Sequence, residues 1–553
     1  MKLFHLTLWV LVLAMFTLSC AAFAEAPATV TVTTAFGDVT GVDNGSFQVF
    51  YGIPYGAAPV GELRWQPPVD PQPWEAALDC TQPHEMAMQY VTDSDTGITT
   101  GQGSEDALNL DVYTTAGAEN LPVLVYIHGG NNQSGNSQEI VGDQIVARDG
   151  CVYVSLSYRL GLLGFNCLPA IVGEGETGNF TLLDIAKALD WIAGNIAAFG
   201  GDPNNITISG FSAGGRDVMA MLISPLFEGK FQKAIAFSGG MTTADVAMSQ
   251  SQIASFLAPV AVEDGKCADE AEAKAWLLTD GEDVKEYLYG LDSARLAGLV
   301  GNANIRMAAF PHLYEDGIVL PVGGFDAEKY FSVPVLMLTG STEFSFFNNF
   351  AAYFSSPDST ALPEDVQAAG IAFGNKYGSD MYRIFNTQMS AEKMFDHYDA
   401  PIYLCQVDYG CDASASPIPG FGAFHGIFVP MLAEKNGYGF YDFSVAGYQA
   451  MGEVFNAYLK NFLATGDPNG EGLTAWPTWN TEEKLTQVFD ADAETATVEA
   501  KNVFKTYDEI MDEMEADTTI EAEVKAKVIA NSMNGRWFSS AVDGRYGNES
   551  LWK

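Results

Sequence analysis

Residues 206–215 constrain this chain more than any other stretch. The apolar, β-prone run Ile206-Thr207-Ile208-Ser209 ends in Gly210-Phe211-Ser212-Ala213-Gly214 and continues into a helix-forming segment. The pattern reads as a nucleophile elbow. A serine hydroxyl is a poor nucleophile at neutral pH, so it must be held on a tight turn where a histidine can take its proton. Gly210 and Gly214 supply that turn, because larger side chains would collide where strand and helix cross. With 55 Gly in 553 residues, such a pentad arises by chance in roughly one chain of this length in three. Its surroundings must therefore carry the reading.

Those surroundings predict an α/β architecture. Apolar runs that read as buried strands recur at 123–127, 152–157, 206–209, 234–238, 335–338 and 402–407. Helical segments separate several of them. In the clearest, 181–199, Leu182, Ile185, Ala186, Leu189, Ile192, Ala193 and Ile196 fall at spacings of three and four and form one apolar stripe. Strands alternating with helices imply a large, mostly parallel sheet covered on both faces, with the site at the carboxyl ends of the strands. Ser212 stands just past such an end.

In this architecture the acid and the histidine follow the serine in the chain. The six histidines lie at positions 5, 84, 128, 312, 397 and 425, and only the last two follow the acid candidate. His425 sits in Gly422-Ala423-Phe424-His425-Gly426, a loop beyond the strand 402–407, whereas His397 precedes that strand among charged residues. His425 is the expected base. Glu343, in Gly340-Ser341-Thr342-Glu343, follows the preceding strand and is the expected acid; Asp408 and Asp412 are alternatives. The strand ending in His128-Gly129-Gly130-Asn131 supplies a glycine-rich turn of the kind that donates backbone N–H groups to an oxyanion. Gly130, Asn131 and Ala213 are the expected donors, and His128 is expected to be structural.

Composition bounds the rest. The chain is 48% hydrophobic and has no linker or repeat, so it reads as one large domain with insertions or two intimately packed ones. Residues 1–24 resemble a secretion signal, with Lys2, an apolar run from Leu6 to Leu18 and an Ala22-Phe23-Ala24 cleavage site. The run is short for a membrane anchor, and Thr17 argues against lipid attachment at Cys20. The expected mature protein, 25–553, is secreted or periplasmic, without stable membrane insertion. It keeps Cys80, Cys151, Cys167, Cys267, Cys405 and Cys411. Cys405 with Cys411 is the first candidate disulfide, and several buried free thiols is the alternative. A net charge of −43 arises from 70 acidic against only 27 basic residues, which argues against nucleic acid and anionic surfaces as partners.

Beyond the elbow, further segments carry a resemblance over nearly all of the mature chain. Tyr51-Gly52-Ile53-Pro54-Tyr55, Leu63-Arg64-Trp65, Ser104-Glu105-Asp106-Ala107 through Tyr113, Ser157-Tyr158-Arg159-Leu160-Gly161, Gly178 through Asp184, Phe199 through Thr207, Asp316-Gly317, Gly466-Asp467-Pro468-Asn469 and Trp476-Pro477 resemble motifs of the type-B carboxylesterases, the cholinesterase-like branch of the α/β-hydrolases. The resemblance implies the α/β-hydrolase fold with helical insertions, a Ser212, Glu343 and His425 triad, and no metal or cofactor. It also exposes departures. The family's loop disulfide is absent, since Ala107 and Ala87 replace both cysteines, so that loop is expected to be freer. Phe211 replaces the usual Glu before the serine, which removes a negative charge. No Trp lies between Trp74 and Trp191, so the choline-binding indole is missing. Asn131 replaces a frequent Gly but keeps its amide.

The expected function is hydrolysis of a neutral small-molecule carboxylic ester through an acyl-enzyme. A non-catalytic binding protein on the same fold is the rival class, set aside because all three triad positions are filled. A lipase is the narrower rival, and the region 241–302, rich in Asp and Glu, makes a poor apolar lid. The acidic segment 508–527 reads as a solvated helix.

Overall fold

The computed structural model describes residues 28–93, 96–411, 420–433 and 441–547. The candidate signal 1–24 and the alternative acid Asp412 lie outside them. Fifteen strands occur among the described residues: β1 Ala28–Thr34, β2 Gly37–Asp43, β3 Gln48–Pro54, β4 Leu78–Asp79, β5 Gln89–Thr92, β6 Thr99–Gln102, β7 Asn109–Thr114, β8 Leu121–Ile127, β9 Val152–Leu156, β10 Gly201–Phe211, β11 Lys233–Phe237, β12 Val335–Gly340, β13 Ile402–Val407, β14 Leu485–Ala491 and β15 Ala496–Asn502.

Thirteen of them form one sheet in the order β1-β2-β3-β7-β9-β8-β10-β11-β12-β13-β14-β15, with β4 alongside β2. From β9 to β14 every neighbouring pair is parallel. The flanks, β1-β2-β3-β7-β9 on one side and β14-β15 on the other, are antiparallel.

Parallel strands covered on both faces bury apolar side chains on both, and the central strands do so along most of their length. In β8, Val123, Val125 and Ile127 join one core cluster, while Leu124 and Tyr126 join the other. In β12, Val335 and Met337 face the first cluster, and Leu336 and Leu338 the second. In β13, Ile402 and Leu404 alternate with Tyr403 and Cys405 in the same way.

Helices close both layers. Phe180–Asn195, extended by a 3-10 turn at Ile196–Phe199, buries the predicted stripe except Ala193, which is exposed. Ala446–Thr465 covers the other face with Tyr448, Met451, Phe455, Leu459 and Phe462.

The region 241–302 forms four helices, Val246–Glu263, Glu270–Leu277, Glu282–Gly290 and Ser293–Val300. The acidic segment near the carboxyl end is also helical, at Tyr507–Ala516 and Ala522–Val528. It is not solvated all round, because Ile510, Met511 and Met514 are buried. No described helix is long and apolar enough to cross a membrane.

The candidate disulfide does not form. All six cysteines among the described residues are free thiols, as in the alternative reading. Cys405 is buried inside β13, whereas Cys411 is exposed beyond the strand end, with its Sγ 3.1 Å from Ser341 Oγ.

Leu404 is fully buried at the middle of the parallel sheet. Leu404→Ala is expected to lower the free energy of unfolding by about 2–5 kcal/mol, measured by urea denaturation.

Candidate active site

Strand β10 runs to Phe211 and a helix, Ala213–Met221, begins two residues later. Ser212 alone makes the turn, at φ 57° and ψ −115°, a conformation L-residues rarely adopt. Its neighbours explain how it is held. A Cβ at Gly210 would lie 2.3 Å from Gly214 O, and one at Gly214 would lie 2.2 Å from Ile127 O. Strand, helix and the end of β8 thus meet at van der Waals contact, and only glycine fits either position. The Ser212 N–H donates to Phe237 O on the adjacent strand at 2.8 Å, which fixes the turn to the sheet.

The two strands on the far side of β11 deliver the other predicted residues. Glu343 follows β12 and is fully buried. Its Oε2 lies 2.5 Å from His425 Nδ1, and its Oε1 accepts from Ser238 Oγ and from Gly340 N, each at 2.6 Å. His425 follows β13 on a loop whose carbonyls at Gly422 and Ile427 accept the hydroxyls of Tyr441 and Tyr448. Its Nε2 has no hydrogen-bond partner among the described residues. Ser212 and His425 line one cavity of about 490 Å³.

The alternatives are placed elsewhere. Asp408 accepts from Gln406 Nε2 at 2.8 Å, and His397 is exposed on a short 3-10 turn.

The glycine-rich turn lies at the end of β8 against the elbow. Gly130, Asn131 and Asn132 have φ of 98°, 60° and 55° in succession. The Gly130 carbonyl is turned away, accepting from the N–H groups of Gln133 and Ser134 at 3.0 Å each. The N–H groups of Gly130 and Asn131 have no acceptor among the described residues. That of Ala213, first in its helix, has no intrahelical acceptor either. Three donors therefore border Ser212.

A family model described as the Carboxylesterase family matches residues 28–361 and 364–507. The chain belongs to the carboxylesterase family. The acylcarnitine hydrolase of Rattus norvegicus is 29% identical over 502 residues, 82% of this chain and 85% of that protein. The para-nitrobenzyl esterase of Bacillus subtilis is 38% identical over 245 residues, 42% of this chain and 49% of that protein. Among solved structures, a Geobacillus stearothermophilus carboxylesterase aligns with a TM-score of 0.66 at 25% identity, covering 85% of this chain and 98% of that one. The shared architecture is the α/β-hydrolase fold.

Within this carboxylesterase framework the departures take physical form. Phe211 stands beneath the imidazole, its ring 4.7 Å from that of His425 and 5.1 Å from Phe428. Phe347 and Tyr382 enclose His425 further, at 5.0 and 5.6 Å. The ring that replaces the family's carboxylate therefore makes an apolar box around the histidine.

The uncrosslinked loop is not open. Met88 N donates to Ser104 O and Ser104 N to Met86 O, and β5 and β6 form a hairpin packed on the helix Ser293–Val300. Backbone pairing closes the loop where the family uses sulfur.

Three contributors escaped the sequence reading. Ser238, at φ 52° just past β11, braces Glu343. Glu139 accepts from Gly129 N and Tyr126 Oη, both at 2.8 Å, and lines the cavity. Asp217, on the helix after Ser212, accepts from Asn132 Nδ2 at 2.9 Å. The only sequence signal for Ser238 was its place at a strand end, and the other two had none.

His128 is structural, as expected. It is fully buried, its Nδ1 bonds the Gly129 carbonyl at 2.8 Å, and its ring stacks on Tyr158 at 4.4 Å. Burial pulls its pKa down to about 4. Because the folded form binds the proton less readily than the unfolded chain, this histidine's contribution is full above pH 6.5 and is lost as pH falls towards 4. Wild-type protein is expected to lose on the order of 3 kcal/mol more stability over that interval than His128→Gln, measured by denaturation at each pH.

Proposed function

We propose that this chain is a serine carboxylesterase in which Ser212, His425 and Glu343 act as a triad. The observation that carries the reading is the Glu343 to His425 bond beside a histidine Nε2 left unpaired in the cavity that Ser212 lines.

Ser212 Oγ attacks the ester carbonyl while His425 Nε2 takes its proton. Glu343 holds the imidazole by Nδ1, so that Nε2 is the basic nitrogen, and stabilises the cation that forms. The tetrahedral oxyanion is received by the N–H groups of Gly130, Asn131 and Ala213. His425 returns the proton to the leaving alcohol, and water then releases the acid from Ser212 by the same steps.

The cavity favours a neutral ester with an apolar acyl or aryl group. Phe211, Phe346, Phe347 and Phe350 form one wall, and Phe350 is 60% exposed. A space of about 490 Å³ suits short to medium chains better than long ones. A relative named for a para-nitrobenzyl ester is in keeping with such a cleft. The amino-terminal signal pattern supports export to the periplasm or the medium.

Ser212→Ala is expected to reduce turnover of p-nitrophenyl butyrate by roughly 10⁴-fold or more with an unchanged circular dichroism spectrum. Undiminished turnover would refute the triad. Glu343→Gln, which keeps the shape but offers Nδ1 an amide, is expected to cost about 10⁴-fold in kcat. Amino-terminal sequencing of protein recovered from outside the cytoplasm is expected to begin at Glu25.

A further inference from the structure

Both donors of the glycine-rich turn lie between two side-chain attachments. Gly129, just before Gly130, gives its N–H to Glu139 Oε2, and the same oxygen accepts the Tyr126 hydroxyl from β8. Asn132, just after Asn131, gives its Nδ2 to Asp217 Oδ1. Asp217 lies on the helix that begins at Ala213, so this second bond ties the turn to the element that presents Ser212. We propose that Glu139 and Asp217 are positioning residues that clamp the oxyanion turn at its two ends and so set Gly130 and Asn131 against Ser212. This rests on the triad reading given above.

The backbone shows why a clamp is needed. Asn131 and Asn132 hold left-handed conformations that favour glycine, and such residues persist only where their surroundings over-determine them. Asn132 is held twice, because its carbonyl also accepts from Gly161 N at 2.7 Å. Asp217 is an expensive group to place there. It is fully buried, and burial pushes its carboxyl up to about 7 against the opposing effects of the Asn132 bond and the Arg216 charge. Burial also raises Glu139, against its bonds from Gly129 and Tyr126. Donors aimed at an oxyanion act only when they are fixed before the charge develops, so small displacements of the turn reduce kcat more than they weaken substrate binding.

The test compares wild type with Glu139→Ala, Glu139→Gln, Asp217→Ala, Asn132→Ala and the Asp217→Ala/Asn132→Ala double variant. Active sites are counted by fluorophosphonate labelling, and kcat and KM are measured on p-nitrophenyl butyrate. Inhibition by a trifluoromethyl ketone, whose adduct carries the oxyanion, completes the set. The alanine variants are expected to lose about ten- to a hundredfold in kcat per labelled site, with a parallel weakening of the ketone and KM within about twofold. Glu139→Gln recovers most of the loss, since its amide oxygen still accepts both bonds. The double variant falls no further than the worse single one, because both changes remove the same bond.

Labelled protein whose variants turn over at the wild-type rate per site overturns the clamp alone, as does a rise in KM at constant kcat. Wild-type protein that takes no label overturns the triad and the clamp together. If Asp217→Ala fails to fold, Asn132→Ala and the Glu139 pair decide by the same criteria.

Discussion

The site depends on one close approach between backbones. Gly214 brings the start of its helix against the carbonyl of Ile127, the last residue of β8, with no room for a Cβ. Ile127 leads directly into the glycine-rich turn, and Gly214 follows Ser212 by two residues. This contact therefore sets how closely the helix that follows the serine approaches the start of the turn. Any wider separation would relax Ser212 from its strained turn and withdraw the donors together. The left-handed residues on both sides of the contact are its local cost.

A second tier of polar contacts holds the strands that converge there, and it accounts for the most recognisable sequence motifs. Arg64 pairs with Glu105 at 2.6 Å and also donates to the carbonyls of Tyr289 and Leu291, which joins two amino-terminal segments to the inserted helices. Arg159 forks onto Asp184 in a pair that is almost completely buried. Asp111 accepts from Gly52 N, Ser137 Oγ and Gln138 Nε2 and so bridges β7, β3 and the segment beyond the turn. Removing one partner from such an arrangement strands a desolvated charge, which is far worse than the pair is good. These residues fasten the segments that resemble the family's motifs, and none of them lines the cavity that holds Ser212 and His425.

Much of the arrangement of the candidate site was legible because chain order and strand ends carry the information. Ser212 and Glu343 each follow an apolar run by a few residues and His425 lies on the loop beyond a third, and the runs pair side by side as β10, β12 and β13 with β11 between the first two. The antiparallel flanks were less visible. Ala28–Thr34 alternates valine with threonine and is largely exposed, so it lacks the continuous apolar signal of a buried strand. Ser238, Glu139 and Asp217 were invisible for another reason. Ser238 and Asp217 act on residues 105 and 85 positions away and Glu139 on a glycine ten positions back, and apart from the place of Ser238 at a strand end nothing in their neighbours distinguishes them from ordinary polar residues. The Cys405 and Cys411 pairing misled because nearness in sequence ignores direction: one side chain points into the core from a strand and the other stands outside it.

That every described cysteine is a thiol has a consequence for how the molecule is made. Among the described residues, no disulfide has to form for the fold to be reached. The loops bearing Ser212, Glu343 and His425 are secured by hydrogen bonds and packing, which form and break reversibly. A reducing cytosol and an oxidising exterior therefore offer this polypeptide the same destination, and denatured chains can return to it without reshuffling any covalent bond.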